Sequence, residues 1–300
     1  MWTQLGHRDK KISDAFVGAP EVFVDDSSRI VFMSDIHRGD SNGADAFYPQ
    51  RNIFMVALKY YDSEGFTYVE LGDSDELWEN RHFSDIRETY GSIFEMLASM
   101  HEAGRYYSVI GNHDIVKKEP KWPEENMTAG KADRAAELFR GLFFPQGIVF
   151  KNPAKGWKIH ALHGHQADRF NSDFWRIGRF LVRYIWRPLT LIGVKDPLSA
   201  SSNKRKRGVI EWELAYWAQK HKTMIVAGHT HRVAFPNPGA PLYFNDGCCV
   251  RHEVLTAIEI MNGEIALVRW GIKSNEEGFL YVSREEIHGP VALDVYFQTL

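Results

Sequence analysis

Five short apolar runs in this 300-residue chain each stop at a group of carboxylate, amide or imidazole side chains, and no other feature restricts the fold as much. Ile30–Met33 runs into Ser34-Asp35-Ile36-His37, and Thr67–Leu71 into Gly72-Asp73. Tyr106–Ile110 runs into Gly111-Asn112-His113-Asp114, Lys158–Leu162 into His163-Gly164-His165, and Met224–Ala227 into Gly228-His229-Thr230-His231. Short, partly β-branched or aromatic runs halted by loop residues are the pattern of buried strands. Between them, Arg51–Ser63 and Ser84–Glu102 carry apolar residues at helical three- and four-residue spacing, the second with Ser84 placed to cap it. Strand, helix, strand in succession predicts an α/β arrangement. Toward the end, Leu242–Asn245, Val254–Ile260 and Ile265–Trp270 read as antiparallel strands, with Asn262-Gly263 as a tight turn. From Gly278 onward no period stands out, and there is no internal repeat.

The donors at the strand ends are hard to borderline: Asp35, His37, Asp73, Asn112, His163, His229 and His231, with no thiolate among them. One histidine at a strand end is usually a hydrogen-bonded structural residue. Five such ends in one chain, in loops where α/β sheets place their sites, favour metal binding. Asp-x-His and His-x-His add a geometric argument: on an extended segment, residues i and i+2 face one side and can reach one ion. The set suits Mn, Fe or Zn. Seven donors exceed one tetrahedral ion and fit two divalent ions about 3.5–4 Å apart.

The ordered series Asp-x-His, Gly-Asp, Gly-Asn-His-Asp, His-Gly-His and Gly-His-x-His, from Asp35 to His231, resembles the calcineurin-like metallophosphoesterase superfamily. The resemblance implies a four-layer α/β/β/α sandwich over residues 1–300 as a single domain. It implies that Asp35, His37 and His231 bind one divalent ion, Asn112, His163 and His229 a second, and that Asp73 bridges them. His113 would contact the phosphate and act as general acid, with Glu76 orienting it; Asp114 and His165 would stand behind the ligands. The implied reaction is hydrolysis of a phosphoester or pyrophosphate bond by water activated at the dinuclear centre.

Composition narrows the partners. With 44% hydrophobic residues the chain can bury a core without disulfides. Its only cysteines, Cys248 and Cys249, are adjacent, which favours free, buried thiols in a reducing compartment. The polar N-terminus carries no signal-peptide pattern, and no run of 18 apolar residues occurs, so a cytoplasmic protein is expected. A net charge of −3 argues against a stable nucleic-acid partner.

The charge is uneven, however. Residues 169–207 hold ten Lys or Arg against Asp173 and Asp196, so this stretch is +8 and the remainder −11. Arg176, Arg179, Arg183 and Arg187 fall on one helical stripe among Trp175, Phe180, Tyr184 and Ile185. Residues 170–220 read as a helical insertion: either a hairpin with a solvated charged face, or a lid that contacts substrate through Arg176, Arg179, Arg183 and His165 and a membrane surface through 170–207. The segment is similar to the lid of the UDP-2,3-diacylglucosamine pyrophosphatase branch, as is Gly72-Asp73…Leu77-Trp78. That branch carries Arg where this chain has His113, so the similarity speaks for lid architecture more than for a lipid substrate. The expected substrate is a phosphorylated small molecule or a nucleotide- or lipid-linked compound. A nuclease or cyclic-nucleotide phosphodiesterase is the alternative enzyme, and a non-catalytic scaffold, which would have lost ligands, the alternative of another class.

Overall fold

The computed structural model describes residues 8–127, 137–191 and 203–300. Its strands are β1 (Glu21–Phe23), β2 (Ile30–Met33), β3 (Thr67–Glu70), β4 (Tyr106–Ser108), β5 (Gly147–Asn152), β6 (Trp157–Leu162), β7 (Met224–Ala227), β8 (Tyr243–Asn245), β9 (Val254–Met261), β10 (Glu264–Ser274) and β11 (Leu280–Ala292). They form a five-stranded sheet in the order β1-β5-β6-β7-β8 and a six-stranded sheet in the order β11-β10-β9-β2-β3-β4. β2, β3 and β4 are parallel, as are β6, β7 and β8. All five motif-bearing strands therefore deliver their loops from carboxyl ends.

Period-two alternation creates the layers. On β2, Ile30 and Phe32 enter the apolar layer between the sheets, whereas Val31 and Met33 face the helices outside. On β7, Met224 and Val226 face inward between the sheets while Ile225 and Ala227 meet helix Lys204–Lys220 through Ile210, Leu214, Trp217 and Ala218. Helix Arg51–Ser63 covers the other sheet with Ile53, Phe54, Ala57, Leu58 and Tyr61, one stripe of a 3.6-residue period. Three apolar layers thus separate helix, sheet, sheet and helix, the expected α/β/β/α sandwich. Each fully buried Leu, Ile or Phe in them contributes about 1.5–3 kcal/mol.

Several expectations need correction. The helix read over Ser84–Glu102 is two, Phe83–Thr89 and Gly91–Glu102, broken at Tyr90. The Tyr90 ring is buried beside Phe47 and its hydroxyl donates to Asp45 Oδ2 at 2.6 Å, which holds the backbone out of helical geometry. Ser84 lies within the first turn; the cap position is His82, with no side-chain cap. The tail after Gly278 is β11 followed by the short helix Leu293–Phe297; β11 is an edge strand largely exposed on both faces, so it lacks the alternation that reveals a strand. Helix Lys204–Lys220, expected in the insertion, is the outer layer of the five-stranded sheet. The remainder runs Arg169–Asp173, Trp175–Leu181, a π-helical turn Val182–Trp186 and Arg187–Leu191. Residues 192–202 of the expected insertion lie outside the described residues, as do the first seven residues of the N-terminus. Among the described residues no helix is long and apolar enough to cross a membrane.

Candidate metal centre

The loops after β2, β3, β4, β6 and β7 meet at one edge of the sandwich. Asp35, His37 and His231 form one group of donors and Asp73, His163 and His229 another, each within 4.8 Å. Five of these residues have positive φ: Asp35 (50°), His37 (53°), Asp73 (49°), His229 (67°) and His231 (53°). The argument from an extended Asp-x-His or His-x-His segment is therefore wrong in its geometry. Left-handed turns, not extended backbone, aim these side chains, at a cost of about 1 kcal/mol or more apiece. Such strain persists where the surroundings enforce it.

Each carboxylate is held by one oxygen and offers the other. Asp35 Oδ2 accepts from Ser34 Oγ (2.6 Å) and His229 N (2.8 Å). Asp73 Oδ1 accepts from His113 N at 2.8 Å. The imidazoles are held likewise. His37 Nδ1 faces Glu76 Oε2 at 2.7 Å, His163 Nδ1 donates to the Leu71 carbonyl at 2.7 Å, and His229 Nε2 faces Asp168 Oδ2 at 3.2 Å. Each contact fixes a tautomer and leaves the opposite nitrogen as the donor for an ion.

The fit to metal ions rests on atoms without hydrogen bonds. Asp35 Oδ1, His37 Nε2, Asn112 Oδ1 and His163 Nε2 are buried and have no hydrogen-bond partner. Orphaned buried polar atoms cost about 1–3 kcal/mol each, and four of them on loops of the same edge favour bound cations. His231 Nε2 stands 3.0 Å from Asp35 Oδ1, and His37 Nε2 stands 3.8 Å from both Asp35 Oδ1 and Asp73 Oδ2. Ligands about 2.1 Å from one ion lie roughly 3.0–3.4 Å from each other, so the His231–Asp35 spacing suits neighbouring corners of one coordination shell, while His37 stands somewhat wider.

Protonation behaviour agrees. Burial alone would raise the Asp35 and Asp73 carboxyls. His231 and His163 around Asp35, and His163 and His113 around Asp73, outweigh it and hold both well below the usual range. Burial opposes charging His163 and His231, yet Asp73 lifts the first to about 9 and Asp35 the second to about 10. The pocket attracts positive charge, which protons or divalent ions can supply.

His113 stands beside the donors. Its Nδ1 lies 2.8 Å from Glu76 Oε1, so one carboxylate orients both His37 and His113. Burial would raise the Glu76 carboxyl, but His113 and His37 pull it down to about 2. Trp78 stacks on the His113 ring with centroids 4.3 Å apart, fixing the ring plane with Nε2 turned away from Glu76. A cleft of about 160 Å³ lined by His37, Glu76, Glu79, Asn80 and His231 opens alongside. Burial, then the Glu76 charge, pushes Glu79 up to about 8, so this cleft is less negative at neutral pH than its acids suggest.

The expected substrate contacts fare differently. Arg183 donates to the carbonyls of Trp78 (2.9 Å), Leu77 (2.8 Å) and Asn80 (3.1 Å), and Arg187 to Glu79 O and Asp40 Oδ2. Arg183 therefore pins the loop that carries Trp78, in place of reaching for substrate. Arg176 and Arg179 lie over the Trp175 ring, with Arg176 exposed. His165 is buried behind His163 and His229, and burial with those two rings keeps it neutral, so it offers substrate no surface. Asp114 accepts from Gly111 N (2.7 Å), Ser74 N (3.1 Å) and Lys117 Nζ (2.9 Å), binding the β3 and β4 loops together.

Other supports escaped the sequence reading. Arg38 is buried between Glu70 and Asp75, and Asp75 also pairs with Lys117. Ser34 Oγ is 2.7 Å from Asp246 Oδ1, and burial raises that carboxyl well above its usual range. The Ser34 hydroxyl lies within hydrogen-bond distance of both Asp35 Oδ2 and Asp246 Oδ1 and so ties the two carboxyls together. Both cysteines are buried free thiols, as expected, and Cys248 contacts His231. Asp168 had one legible signal, its place as a cap before Arg169–Asp173.

Residues 28–233 match the model of the calcineurin-like phosphoesterase family, a span that contains every donor named above and His113. The chain belongs to the calcineurin-like phosphoesterase family. The family match and the candidate donor groups together support a metal-dependent phosphoesterase. Among curated proteins there is no match. Vps29 from Chaetomium thermophilum is similar at 12% identity over 87% of this chain and 97% of that one, with a TM-score of 0.40. The same protein complexed with a RaPID-derived cyclic peptide gives 12%, 88%, 97% and 0.37. The I115M mutant of a cold-active protein tyrosine phosphatase gives 15%, 92% and 84%, with a TM-score of 0.41. Likenesses this loose carry no argument about chemistry; the family membership rests on the match over 28–233.

Proposed function

We propose that this calcineurin-like phosphoesterase is a hydrolase using two divalent ions, Mn, Fe or Zn, to cleave a phosphoester or pyrophosphate bond in a nucleotide- or lipid-linked substrate. The observation that carries the reading is that Asp35 Oδ1, His37 Nε2, Asn112 Oδ1 and His163 Nε2, on strand-end loops of one edge, are all buried and unpartnered, beside an oriented His113. Asp35, His37 and His231 would hold one ion, Asn112, His163 and His229 the other, with Asp73 between them. When bound, the ions supply Lewis acidity and lower the pKa of the attacking water. His113 contacts the phosphoryl group and delivers a proton from Nε2 to the leaving oxygen, while Glu76 and Trp78 hold its ring for an in-line approach. No seven-ligand member of this arrangement is missing, which favours the enzyme over a scaffold.

The lipid-linked part of the reading is supported by the helical segment. Phe170, Phe174, Ile177, Phe180 and Tyr184 are exposed along this segment, with the exposed Arg169 and Arg176 among them. Exposed apolar side chains interspersed with cations suit an acyl chain or an anionic membrane surface. The test is turnover of metal-loaded protein with and without chelator on an aryl phosphate monoester, an aryl phosphodiester, a UDP-sugar, a UDP-acylated sugar and single-stranded DNA. Chelator-sensitive cleavage, strongest for the acylated substrate, is expected. Preference for the simple esters would remove the lipid reading, and DNA cleavage would favour a nuclease. Full activity in both Asp73→Asn and His113→Ala would overturn the mechanism.

A further inference from the structure

Asp168 belongs to two structures at once. Its Oδ2 lies 3.2 Å from His229 Nε2, 2.8 Å from Lys206 Nζ and 2.9 Å from Asn171 Nδ2. Its Oδ1 accepts from the backbone N–H of Phe170 (3.0 Å) and Asn171 (3.4 Å), capping helix Arg169–Asp173. The carboxylate is almost fully buried. An ionised carboxylate only accepts, so its contact with His229 requires the proton on Nε2 and leaves Nδ1 as the one lone pair His229 can offer an ion. Lys206 lies in the first turn of helix Lys204–Lys220, and Asn171 in the first turn of the segment that runs from Arg169 to Leu191.

That segment touches the other side of the centre too. Gly178 packs against Trp78 so closely that a Cβ there would sit 3.0 Å from the indole, and Trp78 stacks on His113. Arg183 and Arg187 bind the same loop. The helical segment is thus fastened at His229 through Asp168 and at His113 through Trp78.

We propose that Asp168 is a positioning residue that ties ion binding at the Asp73–His163–His229 group to the packing of residues 169–181 and 203–210. The proposal rests on the two-ion reading above. An ion on Nδ1 demands the His229 tautomer and ring orientation that Asp168 enforces, and Asp168 does so only when its other acceptors are satisfied by the two helix starts. Linkage makes the effect reciprocal: whatever the segment's packing adds to ion affinity, ion binding adds to the segment's packing. Removing a carboxylate behind a ligating histidine weakens metal affinity by about 10–100-fold.

The experiment uses the full chain with Mn²⁺ as probe, titrated calorimetrically, together with hydrogen exchange of residues 169–181 and 203–210 before and after Mn²⁺. In the wild type, two ions bind and exchange in both stretches slows. Asp168→Asn weakens one ion by about 10–100-fold and abolishes the slowing. Lys206→Met, which leaves the His229 contact intact, weakens that ion by a smaller factor and halves or removes the slowing; it also serves if Asp168→Asn does not fold. Wild-type affinity for both ions in either variant, or exchange in the wild type indifferent to Mn²⁺, overturns the proposal while leaving the two-ion reading standing. Absence of Mn²⁺ binding in the wild type overturns both.

Discussion

Replacing Gly111 with alanine would place a methyl carbon 2.1 Å from both the backbone nitrogen and Oδ1 of Asp73. Non-bonded heavy atoms rest about 3.5 Å apart, so either the β4 loop or Asp73 must move by more than ~1 Å. Neither can yield cheaply. Gly111 N donates to Asp114 Oδ1, and Asp73 Oδ1 accepts from His113 N, so displacement breaks the supports of the loop as well. Metal–ligand distances tolerate only about 0.2 Å, several-fold less than the required shift. Overpacking of this kind costs about 1–3 kcal/mol, a fall in melting temperature of roughly 2–5 °C for a chain of this size. The larger loss falls on ion binding, because Asp73 is the one carboxylate shared by both proposed positions. Gly111→Ala protein should melt a few degrees lower and retain fewer than one equivalent of Mn²⁺ after desalting under conditions that leave the wild type loaded. Melting temperature and elemental analysis read the two effects separately. A variant that melts with the wild type and keeps its full complement of ions would refute the argument that Gly111 is required by close approach to Asp73.

Further outcomes follow from the same geometry. His113→Ala should lower kcat by about 10²–10⁴-fold with metal content unchanged, measured on a substrate with a poor leaving group; loss of metal instead would make His113 a ligand. His163 and His231, held near 9 and 10 against an ordinary value of 6.5, stabilise the ion-free protein fully below pH 6.5 and lose that contribution as pH rises through 9–10. Ion binding requires these rings neutral, so the melting temperature of chelated protein should fall from pH 6.5 to 10 while the increment from added Mn²⁺ grows; an increment that shrinks with pH contradicts this. Arg183→Ala should depress turnover of every substrate, because it releases the Trp78 loop, whereas Arg176→Ala should raise KM only for acylated substrates. Equal effects on an aryl phosphate from both variants would count against the distinction.

The sequence by itself determined the donor set and its order. Each motif follows a short, partly β-branched or aromatic apolar run that marks a strand, and a strand end is a local fact that a few neighbouring residues declare. Helix Arg51–Ser63 and the turn at Asn262-Gly263 were legible for the same reason, the turn through paired positive φ. Three things were decided by tertiary structure alone. The backbone at Asp35, His37, Asp73, His229 and His231 is left-handed because distant hydrogen bonds hold it so, such as His229 N to Asp35 across 194 positions. The fate of the basic stripe was hidden because charge spacing shows which residues share a face, not what that face meets; Arg183 meets carbonyls more than a hundred positions earlier. Asp168, Asp246 and Arg38 act through partners on other strands or helices, and β11 lies at an edge where burial imposes no period. Local chemistry names the candidate donors; the meeting of remote elements decides which atom of each is left free to face an ion.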